Sequence, residues 1–260
     1  MGLNMKHTMI PSNFHFVYIK ERPWKLHHFL SVSSAVFRSG ADKVVLWCDE
    51  EPEGDYWDRT KPLVEVQIVK APTEIFGKPI TQPAHKSDVI RLQVLIEHGG
   101  IYADTDVIVV KPFTQLLDNQ FVMGQQGVRG AEGLCPATMA GAKGSIFAQK
   151  WLAGFKDSFG GGPPGSDTWC THSVNYPLWL SQQIPQEITI LDHFAFFWPL
   201  YHQQHVEAIF EENKEFPGGE AYSHHLWESS GKKYLDDMTE DKIKQGNSLF
   251  ARITKNLLDD

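Results

Sequence analysis

One stretch constrains this 260-residue chain more than any other: Gly99-Gly100 interrupts an apolar helical pattern, and Ile101-Tyr102-Ala103-Asp104-Thr105-Asp106 follows at once. Upstream, Ala84 to Ile96 carries Val89, Leu92, Leu95 and Ile96 at helical spacing, with Pro83 suited to the first turn. The glycine pair stops that helix and turns the chain tightly, since glycine alone enters left-handed backbone freely. The apolar runs on either side of the aspartates, the second being Val107 to Val110, read as strands. If the segment is extended, Asp104 and Asp106 project to the same side. Two hard oxygen ligands placed this way suit Mg²⁺ or Mn²⁺. Asp88 and Arg91, three residues apart, share a face of the preceding helix.

The first half of the chain alternates strand and helix. Phe14–Ile19, Lys43–Trp47 and Val64–Val69 read as strands. Trp24–Arg38 reads as a helix with Leu26, Phe29, Leu30 and Val36 inward, and a short helix runs through Tyr56-Trp57. Such alternation implies an α/β fold, a mixed or parallel sheet flanked by helices. Ligands in these folds sit beyond the carboxyl ends of the strands, where Tyr18 and Asp104 emerge. The second half is less regular: a strand at Phe121–Gln125, a helix at Ser145–Phe159 and a Gly/Pro loop at Phe159–Gly165. Asp192 to Leu200 reads as an aromatic strand, and Thr239–Asp260 as one amphipathic helix. No linker demands a second domain, so 1–260 is expected to be a single unit.

Ser87-Asp88 through Arg91, Gly99-Gly100-Ile101-Tyr102-Ala103-Asp104-Thr105-Asp106 and Lys111-Pro112-Phe113 together resemble the sugar-transferase region that contains the DXD motif. That region marks glycosyltransferase family 32, with its mannosyltransferases, α-1,4-galactosyltransferases and bacterial capsule enzymes; the clostridial glucosylating toxins have a similar core. The resemblance implies a GT-A fold and a metal-dependent, retaining transfer of a hexose from a nucleotide-diphospho sugar to a hydroxyl acceptor such as a glycan or polysaccharide precursor. It assigns Asp104 and Asp106 to the metal, and Asp88 and Arg91 to the donor sugar, making 1–126 the nucleotide-sugar- and metal-binding half and 127–260 the acceptor-side half, with acceptor contacts expected from loops at Gly127–Ala140 and Phe159–Asn175. Ile10 to Ile19 resembles the family's first strand. The toxins have Trp where this chain has Tyr18, which implies a ring stacked on uracil, with Phe16 and Val17 beside it and a UDP-sugar as donor. Tyr222 to Ser230 resembles a late His-x-Trp segment, which makes His225 the third metal ligand and His224 its neighbouring alternative.

Composition narrows the alternatives. A hydrophobic content of 42% implies an ordered globule. The formal charge of −8, with no basic tract, argues against nucleic-acid binding. Cys48, Cys135 and Cys170 form neither a zinc pattern nor a disulfide framework. No run has the length of a membrane span, so a cytoplasmic microbial enzyme is expected, peripheral association at the inner membrane face being left open. Competing readings are a non-catalytic sugar-binding module on the same fold, a toxin-like protein glycosyltransferase, and a glycosidase. Neighbouring carboxylates on one strand do not easily flank a bond as glycosidases require. Relief of repulsion between Asp104 and Asp106 is expected to stabilise an ion-free Asp→Asn variant.

Overall fold

The structure is a computed structural model that describes residues 9–19, 23–130, 132–212 and 220–259. Nine strands frame the site: β1 (Asn13–Tyr18), β2 (Lys43–Cys48), β3 (Glu65–Ile68), β4 (Gly100–Ala103), β5 (Val107–Val109), β6 (Phe121–Gln126), β7 (Gly133–Gly141), β8 (Thr189–Leu191) and β9 (Ser223–His225). Seven of them form one sheet in the order β8-β6-β7-β4-β1-β2-β3. β4 is central, β1 beside it pairs in parallel with β2 and β4, and β7 runs antiparallel to both β4 and β6. This is the mixed α/β sheet that the sequence pattern implies.

Alternation along β1 divides its side chains between the two faces. Phe14, Phe16 and Tyr18 enter one apolar cluster with Phe29 and Leu30 of helix α1 (Leu26–Arg38). Val17 and Ile19 enter the other, with Val89 and Leu92 of α2 (Pro83–His98) and Phe147 and Trp151 of α3 (Ile146–Ser158). The sheet is therefore covered on both sides, and both faces of β1 are dry. Among the described residues, no helix is long and apolar enough to cross a membrane.

Four expectations are corrected. The Asp-Thr-Asp segment is not extended: β4 ends at Ala103, and Val107 N–H donates to Asp104 O at 3.0 Å to close a turn. Asp192 to Leu200 is a turn rather than a strand. Its neighbours Phe196 and Phe197 are both fully buried, which alternating side chains on a half-exposed strand cannot achieve. The tail is two short helices, Glu240–Gln245 and Leu249–Thr254, because Gly246-Asn247 breaks the pattern and Ser248 caps a new start. Finally, Gly127–Ala140, expected to be an acceptor loop, contains most of β7, which is buried along its whole length. Its Gly, Ala and Pro content hid it. Pro136 is accommodated where the β6–β7 register jumps from Met123↔Met139 to Gly124↔Cys135.

Gly100 makes the junction between α2 and β4 sterically possible. Its φ is +119°, and a Cβ there would stand 2.6 Å from Asn13 O and 2.8 Å from His15 Nε2. Gly100→Ala is expected to destabilise the fold by about 2 kcal/mol or more, read as a lower urea midpoint; an unchanged midpoint contradicts this reading of the turn.

Candidate functional site

A turn after β4, rather than an extended segment, brings the Asp104 and Asp106 carboxylates together. Asp104 N–H is held by Ala137 O at 2.9 Å, and the chain then reverses into β5. β5 pairs antiparallel with β9, so that His225 lies opposite Val107 and His224 opposite Ile108. Leu226 N–H donates to Asp106 O at 2.8 Å, which locks the end of β9 to the turn. Adjacent residues of β9 face opposite ways. His225 Nε2 reaches Asp106 Oδ2 at 3.2 Å, whereas His224 Nδ1 contacts Trp198 O at 2.7 Å. The candidate ligand atoms of Asp104, Asp106 and His225 all lie within 4.8 Å of one another.

Each carboxylate has its own cation. Burial alone would raise the pKa of Asp106, but the His225 imidazolium, the hydrogen bond from it and the 2.8 Å bond from Glu228 N–H overcome that and hold it low. Burial likewise opposes the charge on His225, yet Asp106 pushes its pKa up to about 10. Asp104, the part-exposed member, accepts from Tyr102 Oη at 2.5 Å and lies 3.2 Å from Arg91 Nη1. Burial pushes its pKa up; Arg91 opposes the rise and Asp106 adds to it.

Arg91 is buried and connects several groups. Nη1 also donates to Pro136 O at 3.0 Å, Nη2 lies 3.4 Å from Asp88 Oδ1, and the guanidinium sits 4.8 Å from the centroid of the Tyr102 ring. Burial favours the neutral form of Asp88, but Arg91 and His172 reverse this and keep its pKa low. His172 Nε2 is 3.0 Å from Asp88 Oδ2. The structure thus brings Asp88, Arg91, Asp104, Asp106 and His225 into one constellation that draws on both halves of the chain.

Phe16, Val17 and Tyr18 lie on β1, the strand paired in parallel with β4 where β4 leads into the turn. The Phe16 and Val17 side chains are core, leaving only backbone for any ligand contact. Tyr18 is 4% exposed, its ring set edge-on to Trp24 at 4.9 Å and to His28 at 5.6 Å. Three contributors were missed in the sequence. Tyr102 carried a usable signal, since it stands two residues before Asp104 at the end of a strand. His172 and the Glu228 N–H are distant in sequence and had none.

Residues 35–123 match the family described as the glycosyltransferase sugar-binding region containing the DXD motif. The chain is similar to Glucan organizing enzyme 1 of Cryptococcus neoformans var. grubii (strain H99), with 30% identity over 96% of this chain and 71% of that protein. Among solved structures, the apo glycosyltransferase GlyE of Streptococcus pneumoniae TIGR4 is 10% identical over 95% of this chain and 60% of its own, with a TM-score of 0.51, a likeness of fold. The PaToxG glycosyltransferase is 15% identical over 96% of this chain and 88% of its own, with a TM-score of 0.47.

The pairing reverses one expectation about stability. Replacing Asp106 by Asn removes the partner of a buried imidazolium rather than relieving a repulsion, and is expected to cost the ion-free protein about 3 kcal/mol. Because His225 has a raised pKa in the fold, its contribution is complete below about pH 6.5 and is lost as pH rises through about 10. Urea unfolding without divalent ions should show stability falling over that interval in the parent and a flatter profile in His225→Gln. Parallel profiles, or a stabilised Asp106→Asn, contradict the pairing.

Proposed function

This chain belongs to the family of DXD-containing sugar transferases, and on that premise we propose that it moves a hexose from a UDP-sugar to a hydroxyl acceptor in a metal-dependent, retaining reaction. The observation that carries the proposal is the convergence of Asp104, Asp106 and His225 within 4.8 Å. Two carboxylates and an imidazole suit Mn²⁺, or Mg²⁺ with more water in its shell. Among the described residues no hydrogen bond of ordinary geometry reaches His225 Nδ1, although the ring is buried and the Cys135 thiol lies beside it. The donor set therefore fits the ion. When bound, it supplies positive charge against the departing diphosphate.

The protein's own groups do the rest. Asp104 and Asp106, with His225 deprotonated, would hold the ion, and Asp104 is the member open to solvent on the side from which a diphosphate would approach. Asp88 and Arg91 lie next to it and orient the sugar. Both oxygens of Asp88 are engaged, by Arg91 and by His172, so this carboxylate is a poor covalent nucleophile. A front-face transfer is the simpler route: diphosphate leaves as the acceptor hydroxyl attacks the same face of the sugar. Stabilising the charge that develops on the leaving group is then the main catalytic effect. Backbone at Phe16 to Tyr18 flanks the base, and uncovering of the Tyr18 ring would let it stack. Residues 127–260 supply the acceptor side. A surface glycan is the favoured acceptor class, and the fungal relative's name, which speaks of glucan organisation, agrees with it.

A donor panel of UDP- and GDP-sugars, assayed for hydrolysis and transfer with and without EDTA, tests the proposal. The expected result is turnover of a UDP-sugar that EDTA abolishes and Mn²⁺ restores, with Asp104→Asn and Asp106→Asn each losing about a hundredfold or more. Turnover indifferent to EDTA, or full activity in Asp106→Asn, refutes it.

A further inference from the structure

Outside the carboxylate turn, a second dense group of buried polar side chains lies where α2 meets the single π-helical turn Thr171–Asn175. His172 on that turn is fully buried. Phe155, Phe159 and His85 pack around its ring with centroids 4.9, 4.7 and 4.6 Å away, and Trp151 Nε1–H donates to its backbone oxygen at 2.7 Å. The ring is therefore fixed from several sides. An ionised carboxylate only accepts hydrogen bonds, so the contact with Asp88 assigns the proton to Nε2. Wide π turns of this kind are often retained where they aim a side chain.

From His172 the contacts run without a gap to the metal turn. Nε2–H donates to Asp88 Oδ2 at 3.0 Å, Asp88 Oδ1 lies 3.4 Å from Arg91 Nη2, and Arg91 Nη1 lies 3.2 Å from Asp104 Oδ1. We infer that His172 is a positioning residue that sets Asp104 through Asp88 and Arg91, and so ties the Phe159–Asn175 segment to the metal and diphosphate site. This rests on the reading of Asp104 as a metal ligand. The physical reason is competition for one guanidinium. A free carboxylate prefers to clamp arginine with both oxygens. His172 occupies Oδ2 and leaves Asp88 a single oxygen for Arg91, so the other arm of the fork stays on Asp104. Without that hydrogen bond Asp88 turns and takes both arms, and the Asp104 carboxylate is left with Tyr102 Oη as its one remaining side-chain donor.

His85, Asp88 and His172 are also close enough to surround a cation, their ligand atoms lying within 4.8 Å of one another. Arg91 already balances Asp88, however, and a buried dication would be left with two neutral imidazoles next to a guanidinium. The charges favour a hydrogen-bond relay over an ion.

The test is Mn²⁺ affinity measured by calorimetry in the presence of UDP, together with the Mn²⁺ activation constant. Loss of an outer partner of a metal ligand typically weakens metal binding ten- to hundredfold. His172→Phe, which fills the aromatic box but has no donor, is expected to raise both constants about tenfold. His172→Gln, whose amide N–H can reach the position of Nε2, is expected to restore them to within about threefold of the parent. Asp88→Asn reads the same relay should His172→Phe fold poorly, and the same rise is expected there. Parent-like constants in both His172→Phe and Asp88→Asn, or equal losses in His172→Phe and His172→Gln, overturn the relay. Asp106→Asn separates this from the underlying reading: if it binds Mn²⁺ like the parent, the metal site itself fails, and the relay fails with it.

Discussion

Two carboxylates largely withdrawn from water within a few ångströms of each other cannot both stay ionised without compensation. The architecture around Asp104 and Asp106 answers that constraint. Arg91, from α2, serves Asp104; His225, from β9, serves Asp106. The first needs a helix that ends at a glycine pair, so that α2 and the end of β4 lie side by side. The second needs β9 to return across most of the chain and pair with β5. Under the proposed metal-binding role, stability and function pull on the same groups, because the cations that make the ion-free turn tolerable would have to loosen or lose a proton for a divalent ion to take their place.

The division of labour between the two carboxylates follows from their exposure. Asp106 is buried, accepts from the Glu228 N–H and His225, and acts as the rigid member. Asp104 is part-exposed, accepts from Tyr102 and Arg91, and presents the open side. The bulge at Pro136 contributes as well: Pro136 O holds Arg91, and its neighbour Ala137 O holds the Asp104 N–H. A strand whose composition resembles a loop thus becomes a wall of the site.

What the sequence revealed depended on local periodicity. The helix from Pro83, the glycine turn and the strands of the first half were legible, because helical spacing and apolar runs report burial directly. His225 was preferred over His224 through the resemblance to a His-x-Trp segment; the geometry puts His225 beside Asp106 and turns His224 to Trp198 O, while the ligand role itself belongs to the proposal. β7 was missed because a strand buried on both faces and rich in small residues shows no alternation. The aromatic run before Pro199 was misread because burial alone does not specify extension. The second partner of Asp88 was invisible: His172 lies 84 residues away, and no local pattern encodes that meeting.

The most direct test of the account counts protons. Asp106 pushes the His225 pKa up to about 10 in the ion-free fold and so favours the imidazolium at pH 7, whereas a metal-bound imidazole must be neutral. Calorimetric titration of Mn²⁺ with UDP present, repeated in buffers of different ionisation enthalpy, gives the number released. The account predicts about one proton per Mn²⁺ in the parent protein and close to none in His225→Gln, with weaker binding there. Equal release and equal affinity in the two proteins would contradict it.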